Sequence, residues 1–290
     1  MSVAPTLRME RALLRDGIAA LACVDEVGRG ALAGPVTVGV TVVTLEVGTA
    51  PKGLRDSKLL TPAARVALLP RLRRWPVAHA VGHAQSHEID EVGILAALRV
   101  AAARAFQHLP VAPELTLLDG SHNWLRVPDE PEGLFPDPRS AAAAGLADLS
   151  VLPPRVVTRV KADLTCAGVA AASVLAKCAR DAIMVDLAGQ HPVYGWAVNK
   201  GYSAPEHLDA LREHGPCALH RRSWNLPGVA GEPCIPSGQD DEGDEWSAGE
   251  DPPDRSEVLL ASASGALVDV TTGTGAERAR AGRSLSTASP

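Results

Sequence analysis

Aromatic side chains are scarce: two Phe, two Tyr and five Trp make up 3% of 290 residues. The 46% apolar fraction is still ample for a sizeable core, and alanine carries much of it. Cysteine is sparse and odd in number, at positions 23, 166, 178, 217 and 234, with no C-x-x-C pair. That argues against a disulfide framework or a zinc site, and for reduced thiols in a cytoplasmic protein. No uncharged apolar run reaches the roughly 18 residues of a membrane span, so no membrane partner is expected. The opening residues, M-S-V-A-P-T-L-R-M-E-R, lack the apolar centre of a secretory leader. There is no internal repeat. The length allows one large domain or two small ones.

The net charge of −6 misleads when read globally. Residues 227–290 hold 12 Asp/Glu and 4 Arg, whereas residues 1–226 hold 24 Lys/Arg and 22 Asp/Glu. The acidity belongs to the tail, and a body of net +2 can accept a polyanionic partner.

Residues 8–17 are short and charged, and predict a helical lead-in. Residues 18–26 and 36–47 are β-rich; the second run alternates Val with Thr or Gly, the pattern of a half-exposed strand. Thr61-Pro62 supplies a cap and a first-turn proline for a helix over 62–74. A strand is expected over 77–86, then one alanine-rich helix over 88–109. Residues 115–118 form a short buried strand ending in Asp119-Gly120. Residues 123–154, rich in Pro, Ala and acid without periodicity, read as a surface insertion. A strand over 155–160 leads to Lys161-Ala162-Asp163, and 167–187 is strongly helical. Ser203-x-x-Glu206 reads as a capping box opening a helix over 204–213, which Gly215-Pro216 stops. Beyond about residue 227, Gly, Ser, Pro, Asp and Glu predict disorder, with 258–260 and 266–270 the stretches able to form transient elements. The order β-β-α-β-α-β-β-α-α gives an α/β fold with a mixed sheet.

Residues 23–35, C-V-D-E-V-G-R-G-A-L-A-G-P, organise the chemistry. Asp and Glu are poor strand formers, so Asp25 and Glu26 closing an apolar run point to a metal or acid/base site; the bland reading is a strand ending in a solvated turn. Asp119 and Asp163 follow similar runs, although alone one reads as a turn and the other as a helix cap. Three such strand ends on one sheet edge would repel unless hard cations neutralise them. An all-carboxylate set selects magnesium or manganese over zinc and can hold two ions about 4 Å apart. Asp25 and Glu26 are adjacent, so on a regular strand they face opposite ways. Both serve one site if the strand bends or if Glu26 contributes its backbone carbonyl.

Arg29, Lys58, Lys161, Lys177, Arg221 and Arg222 lie in or beside the same motifs, against the alternative of ordinary surface charge. Tyr202 reads either as core or as a platform for a base or sugar. His79, His83 and His87 are spaced for a helical metal site, but the segment reads as a strand, which scatters them. Gly28-x-Gly30-x-x-x-Gly34 has the wrong spacing for a dinucleotide loop. Cys166 and Cys178 read as buried structural thiols.

V-D-E-V-G-R-G-A-L-A-G-P, D-S-K-L-L, L-D-G, K-A-D, A-A-A-S-V-L-A-K-C-A-R-D, K-G-Y-S-A-P-E-H and G-P-C-A-L-H-R-R-S-W together closely resemble bacterial ribonuclease HII. The match covers about residues 18–226. The resemblance implies a ribonuclease H-like fold, a mixed central sheet flanked by helices, with a small C-terminal helical extension over about 192–226. Residues 1–17 then form a lead-in and 227–290 a disordered acidic tail. It implies an endonuclease of ribonucleotide excision repair that cleaves the RNA strand of RNA–DNA hybrids. It also implies nicking 5′ of ribonucleotides embedded in duplex DNA, leaving 3′-hydroxyl and 5′-phosphate ends. The family's four acids map onto Asp25, Glu26, Asp119 and Asp163, holding two Mn2+ or Mg2+ ions. Its Gly-Arg-Gly maps onto Gly28, Arg29 and Gly30, which would read the 2′-hydroxyl. Tyr202 would pack on the deoxyribose that follows; Lys58, Lys177 and Arg221 would also meet substrate. Partners would be RNA–DNA hybrids and ribonucleotide-containing duplex DNA, bound by a monomer. The sequence departs from the family at Asn199, usually histidine, with the expectation of a weakened backbone contact. Trp224 replaces the usual Phe, and the interval from Asp119 to Asp163 is stretched.

Overall fold

The computed structural model describes residues 4–127, 138–153 and 155–227. The chain enters through helix α1 (Arg8–Arg15) and strand β1 (Leu21–Val27), which pairs antiparallel with β2 (Val36–Val43). A 3₁₀ turn, Ser57–Leu59, precedes α2 (Pro62–Leu72), whose first turn is capped by Thr61 Oγ1 on the Ala64 amide. Next come β3 (Ala78–Ala84), α3 (Ser86–Val92), α4 (Ile94–Gln107), β4 (Leu115–Asp119), α5 (Pro138–Leu146) and β5 (Val156–Arg159). The chain continues through α6 (Ala162–Thr165), the long α7 (Ala167–Gln190), α8 (Trp196–Asn199) and α9 (Pro205–His214). The sheet order is β3-β2-β1-β4-β5; β4 runs parallel to β1 and β5 parallel to β4. This is the expected mixed sheet. Among the described residues, no helix is long and apolar enough to cross a membrane.

β2 is buried along its whole length, not half-exposed as its Val/Thr alternation suggests. Helix α4 packs against β2 and β3, while α7 packs against β1 and β2. Both layers lie close because the strands carry glycine where the helices cross. A Cβ on Gly82 would sit 2.0 Å from the Ala101 carbonyl, and one on Gly39 would sit 2.3 Å from that of Ala172. Thr41 Oγ1 donates to the Gly168 carbonyl (2.9 Å), and Thr37 Oγ1 pairs with His83 Nδ1 (2.8 Å). The hydroxyls are satisfied inside the protein, so their alternation did not signal solvent. Alanine-rich helices on glycine-bearing strands explain how a core poor in aromatics closes.

Three further expectations change. The single helix over 88–109 is two, because Gly93 takes φ 78° and serves as C-cap of α3 and N-cap of α4. The 123–154 segment is not wholly a surface insertion: Trp124, Leu125, Ala143 and Leu152 are buried in the main core, and α5 packs on α3 and α4. Helix α9 starts at Pro205 with Ala204 as N-cap, so Ser203 lies one residue outside the cap and no capping box forms. The expected disorder beyond residue 227, and the stretches 258–260 and 266–270, lie outside the described residues.

Gly82→Ala should destabilise the fold by about 1–3 kcal/mol or more, since backbone of α4 blocks the new methyl. Chemical denaturation checks this; an unchanged midpoint would contradict the close packing of α4 on β3.

Candidate active site

The parallel pairing of β1 with β4 ends at Val24–Leu118, so Asp25 and Asp119 are the next residues on neighbouring strands. Both lie just past the last β1–β4 pair, toward the carboxyl ends of these parallel strands, where α/β sheets place ligands, while Asp25 still pairs with β2 and Asp119 with β5. Asp163 joins them through the backbone. Lys161 takes a left-handed conformation (φ 58°) and turns the chain directly into α6. There Asp119 Oδ1 accepts the amides of Ala162 (2.6 Å) and Asp163 (3.3 Å). The long interval between the two acids is thus closed by Asp119 itself acting as a cap for α6.

Glu26 stays in register with Val38, and pairing with β2 continues to Val27, so the ladder shows no bend at the adjacent acids. The Glu26 amide donates to Asp25 Oδ1 (2.9 Å), and the Glu26 carboxylate lies 3.9 Å from Arg29. Both side chains nevertheless interact with Asp119.

The electrostatics are one-sided. Burial, then Glu26, Asp119 and Asp163, hold the Asp25 carboxyl well above its usual range; the Ser173 hydroxyl opposes them. Burial pushes Glu26 up to about 7, against the pull of Arg29. Asp163 rises to about 6 through burial and then the charges of Asp119 and Asp56. Asp119 is raised by burial, offset by the amides of Asp163, Ala162 and Gly120. Lys58, exposed on the 3₁₀ turn, draws Glu26, Asp119 and Asp163 back toward ionisation. Lys58 and Arg29 are thus the cations that offset the four carboxylates. Among the described residues no three His, Cys, Asp or Glu side chains close into a ready ligand cage. A hard-oxygen set with surplus negative charge fits divalent cations, which would relieve the repulsion.

Beside the acids the chain turns through Gly28 at φ 88°. A Cβ there would lie 2.1 Å from Arg180 Nε, whereas one on Gly30 would meet nothing. The Ala31 amide donates back to the Gly28 carbonyl; the amides of Arg29 and Gly30 have no acceptor among the described residues and sit at the surface. Arg29 is the exposed cation of the loop, its side chain 54% accessible. Arg221, expected on substrate, is instead fully buried beneath the loop and donates to the carbonyls of Gly28 (2.6 Å) and Arg29 (2.7 Å). Tyr202 is half-buried, its ring 5.1 Å from the Arg180 guanidinium and 5.7 Å from Lys177 Nζ. Asn199, at the position where the family usually has histidine, donates to the Tyr194 carbonyl and accepts from the Gly201 amide, each at 2.8 Å.

Sequence reading missed four residues that hold these groups. Ser173 bonds Ser57 Oγ at 2.8 Å beside Asp25. Arg65 donates to the carbonyls of Ser57 and Leu60 and so fixes the turn bearing Lys58. Asp181 pairs with Lys177 (3.0 Å) and Arg65 (3.5 Å). Arg180 is the fourth. Ser173, Lys177, Arg180 and Asp181 are polar at i, i+4, i+7 and i+8 of a helix otherwise apolar as far as Val185, a signal of one polar face. His79 and His83 alternate on the same face of β3, with His87 on α3, and they form no metal group.

Residues 22–226 match the family described as Ribonuclease HII. The chain belongs to the ribonuclease HII family. A ribonuclease HII of Streptomyces avermitilis is 43% identical over 221 residues, covering 76% of this chain and 83% of the relative. One from Paracoccus denitrificans is 45% identical over 223 residues, covering 76% and 91%. The solved ribonuclease H2 of Pyrococcus horikoshii is similar over 71% of this chain and 93% of that one, at TM-score 0.50 and 25% identity. The activity of this ribonuclease HII family member is therefore endonucleolytic cleavage of RNA in RNA–DNA hybrids, with dependence on divalent metal.

The raised carboxyl pKa values carry a sign. Without metal the folded chain binds more protons than the unfolded one, so these groups cost stability as pH rises from about 4 through about 7. In chelator, Glu26→Gln should raise stability at pH 8 by on the order of 1–3 kcal/mol and have little effect at pH 4. Thermal melts at the two pH values check it; a lowered midpoint at pH 8 would contradict the repulsion.

Proposed function

We propose that Asp25, Glu26, Asp119 and Asp163 hold two Mg2+ or Mn2+ ions and that the enzyme nicks 5′ of ribonucleotides embedded in duplex DNA, besides cleaving hybrids. The observation carrying this is the placing of a buried Asp25 and a part-buried Asp119 side by side on adjacent parallel strands, mutually repelling, beside a loop with two amides that have no acceptor among the described residues. Bound ions would activate water and stabilise the leaving oxygen, giving 3′-hydroxyl and 5′-phosphate ends. Asp25 and Asp119 would serve both ions, Asp163 the nucleophile-side ion, and Glu26 would complete the set of carboxylate ligands.

Gly28, Arg29 and Gly30 read the 2′-hydroxyl, the group that separates ribose from deoxyribose at the cut. The open space over Gly30 lets a sugar approach the backbone. Tyr202 packs on the next deoxyribose, while Lys58 and Lys177 lie toward phosphates. Arg221 acts beneath the loop. The catalytic unit spans 18–226 with its extension from about 192. A monomer in a cytoplasmic setting completes the proposal, and the four free cysteines among the described residues support that setting.

A non-catalytic nucleic-acid binder on this fold would not need four acids that resist ionisation together. An exonuclease of the two-metal type would cut without a 2′-hydroxyl at the scissile bond. Asp163→Asn should abolish nicking of a duplex carrying one ribonucleotide, at least about 100-fold, with an unchanged circular dichroism spectrum. Gel mapping of product ends, with an all-DNA duplex as control, checks both points; normal activity in the variant, or equal cutting of the control, would sink the assignment.

A further inference from the structure

Arg180 and Arg221 are wholly buried, yet among the described residues neither forms an ion pair with a carboxylate. A buried cation is costly unless its donors are satisfied. Here the acceptors are backbone carbonyls, nearly all drawn from one loop. Arg221 takes Gly28, Arg29 and, through Nε and Nη2, Gly34 (3.4 and 3.3 Å). Arg180 Nε takes Pro35 (2.8 Å) and Nη2 takes Ala33 (3.1 Å). Arg180 Nη1 leaves the loop and takes the Lys200 carbonyl (2.9 Å), two residues before Tyr202, whose ring lies over the same guanidinium. A second tie runs the same way: the amides of Leu32 and Ala33 donate to Gly201 (2.8 and 3.2 Å). Lys200 itself holds φ 52°, so this short stretch is locked in a conformation that costs a non-glycine residue energy.

We propose that Arg180 is a positioning residue that sets the spacing between the Gly28–Gly30 loop and Tyr202, and so selects which phosphodiester is cut. One planar guanidinium packs against Gly28, bonds Ala33 and Pro35 just beyond the loop with one edge and the Lys200 carbonyl with the other, and lies over the Tyr202 ring. Arg221 fixes the loop alone. The inference rests on the reading of residues 28–30 as the ribose contact and of Tyr202 as the contact to the next sugar. With those contacts one nucleotide apart, a ribose followed by a deoxyribose is the matched pair. In a run of ribonucleotides within DNA, the matched pair occurs only at the last one.

The test uses the full-length chain and a duplex with four consecutive ribonucleotides in one strand, with cuts mapped at single-nucleotide resolution. Wild-type enzyme is expected to cut chiefly 5′ of the last ribonucleotide. Arg180→Lys, which keeps the charge but cannot bridge both sides, should spread cuts over upstream ribonucleotides and lower kcat about 10- to 100-fold, with KM within about threefold. Should the lysine variant fail to fold by circular dichroism, Arg180→Gln, neutral and able to keep the Pro35 contact, takes its place with the same expectation. A folded variant that cuts at the wild-type position, merely slower, would reduce Arg180 to a structural residue and overturn the inference while the proposed function stands. Wild-type cuts distributed evenly over the run would remove the matched pair itself, and both readings would fall.

Discussion

Carboxylates that repel one another at the ends of β1 and β4 are the constraint on which the rest of the molecule depends. Left alone, such groups would protonate or move apart. They are kept in place by backbone that has no freedom to yield. Asp25 is held in β1 by its pairing with Gly39 of β2, one residue past the last pair that β1 makes with β4. Asp119 is fixed through the two amides it accepts from α6. The close seating of α4 and α7 on Gly82 and Gly39 makes the underlying sheet a rigid support, so electrostatic energy is stored at the edge and not dissipated in the core.

The same logic, with opposite sign, governs the loop next door. There the charges are buried cations, and the neutralising groups are peptide dipoles of residues 28–35. The site thus juxtaposes carboxylates short of cations with guanidiniums that carbonyls already satisfy. Arg180 and Arg221 do not quench the acids, which preserves the negative charge that a divalent ion needs. The C-terminal segment takes part directly: Arg221 enters from it, and Ala33 bridges to His220. Separating residues 192–226 from the rest would therefore unmake the loop.

Much of this was legible in the sequence because it depends on local chemistry. Asp25, Glu26, Asp119 and Asp163 end apolar runs, and Thr61-Pro62 marks a helix start that the structure keeps. What escaped depends on partners far along the chain. Arg221 reads as a surface base until Gly28, nearly two hundred residues earlier, is seen above it. Thr37 and Thr41 read as solvent-facing until helix α7 and His83 supply their partners. Gly93 splits a helix that alanine content alone would continue, because a positive φ outweighs propensity. Arg180 was visible as one more charge on a helix; its orientation beneath the loop was not.

The contact between Gly28 and Arg180 has a historical consequence. A methyl at position 28 would overlap the guanidinium, so any side chain there must follow, never precede, a shortening of residue 180. Losing Arg180 first strands the carbonyls of Ala33, Pro35 and Lys200. Each single step is thus penalised in a different way, and the pair forms a ratchet.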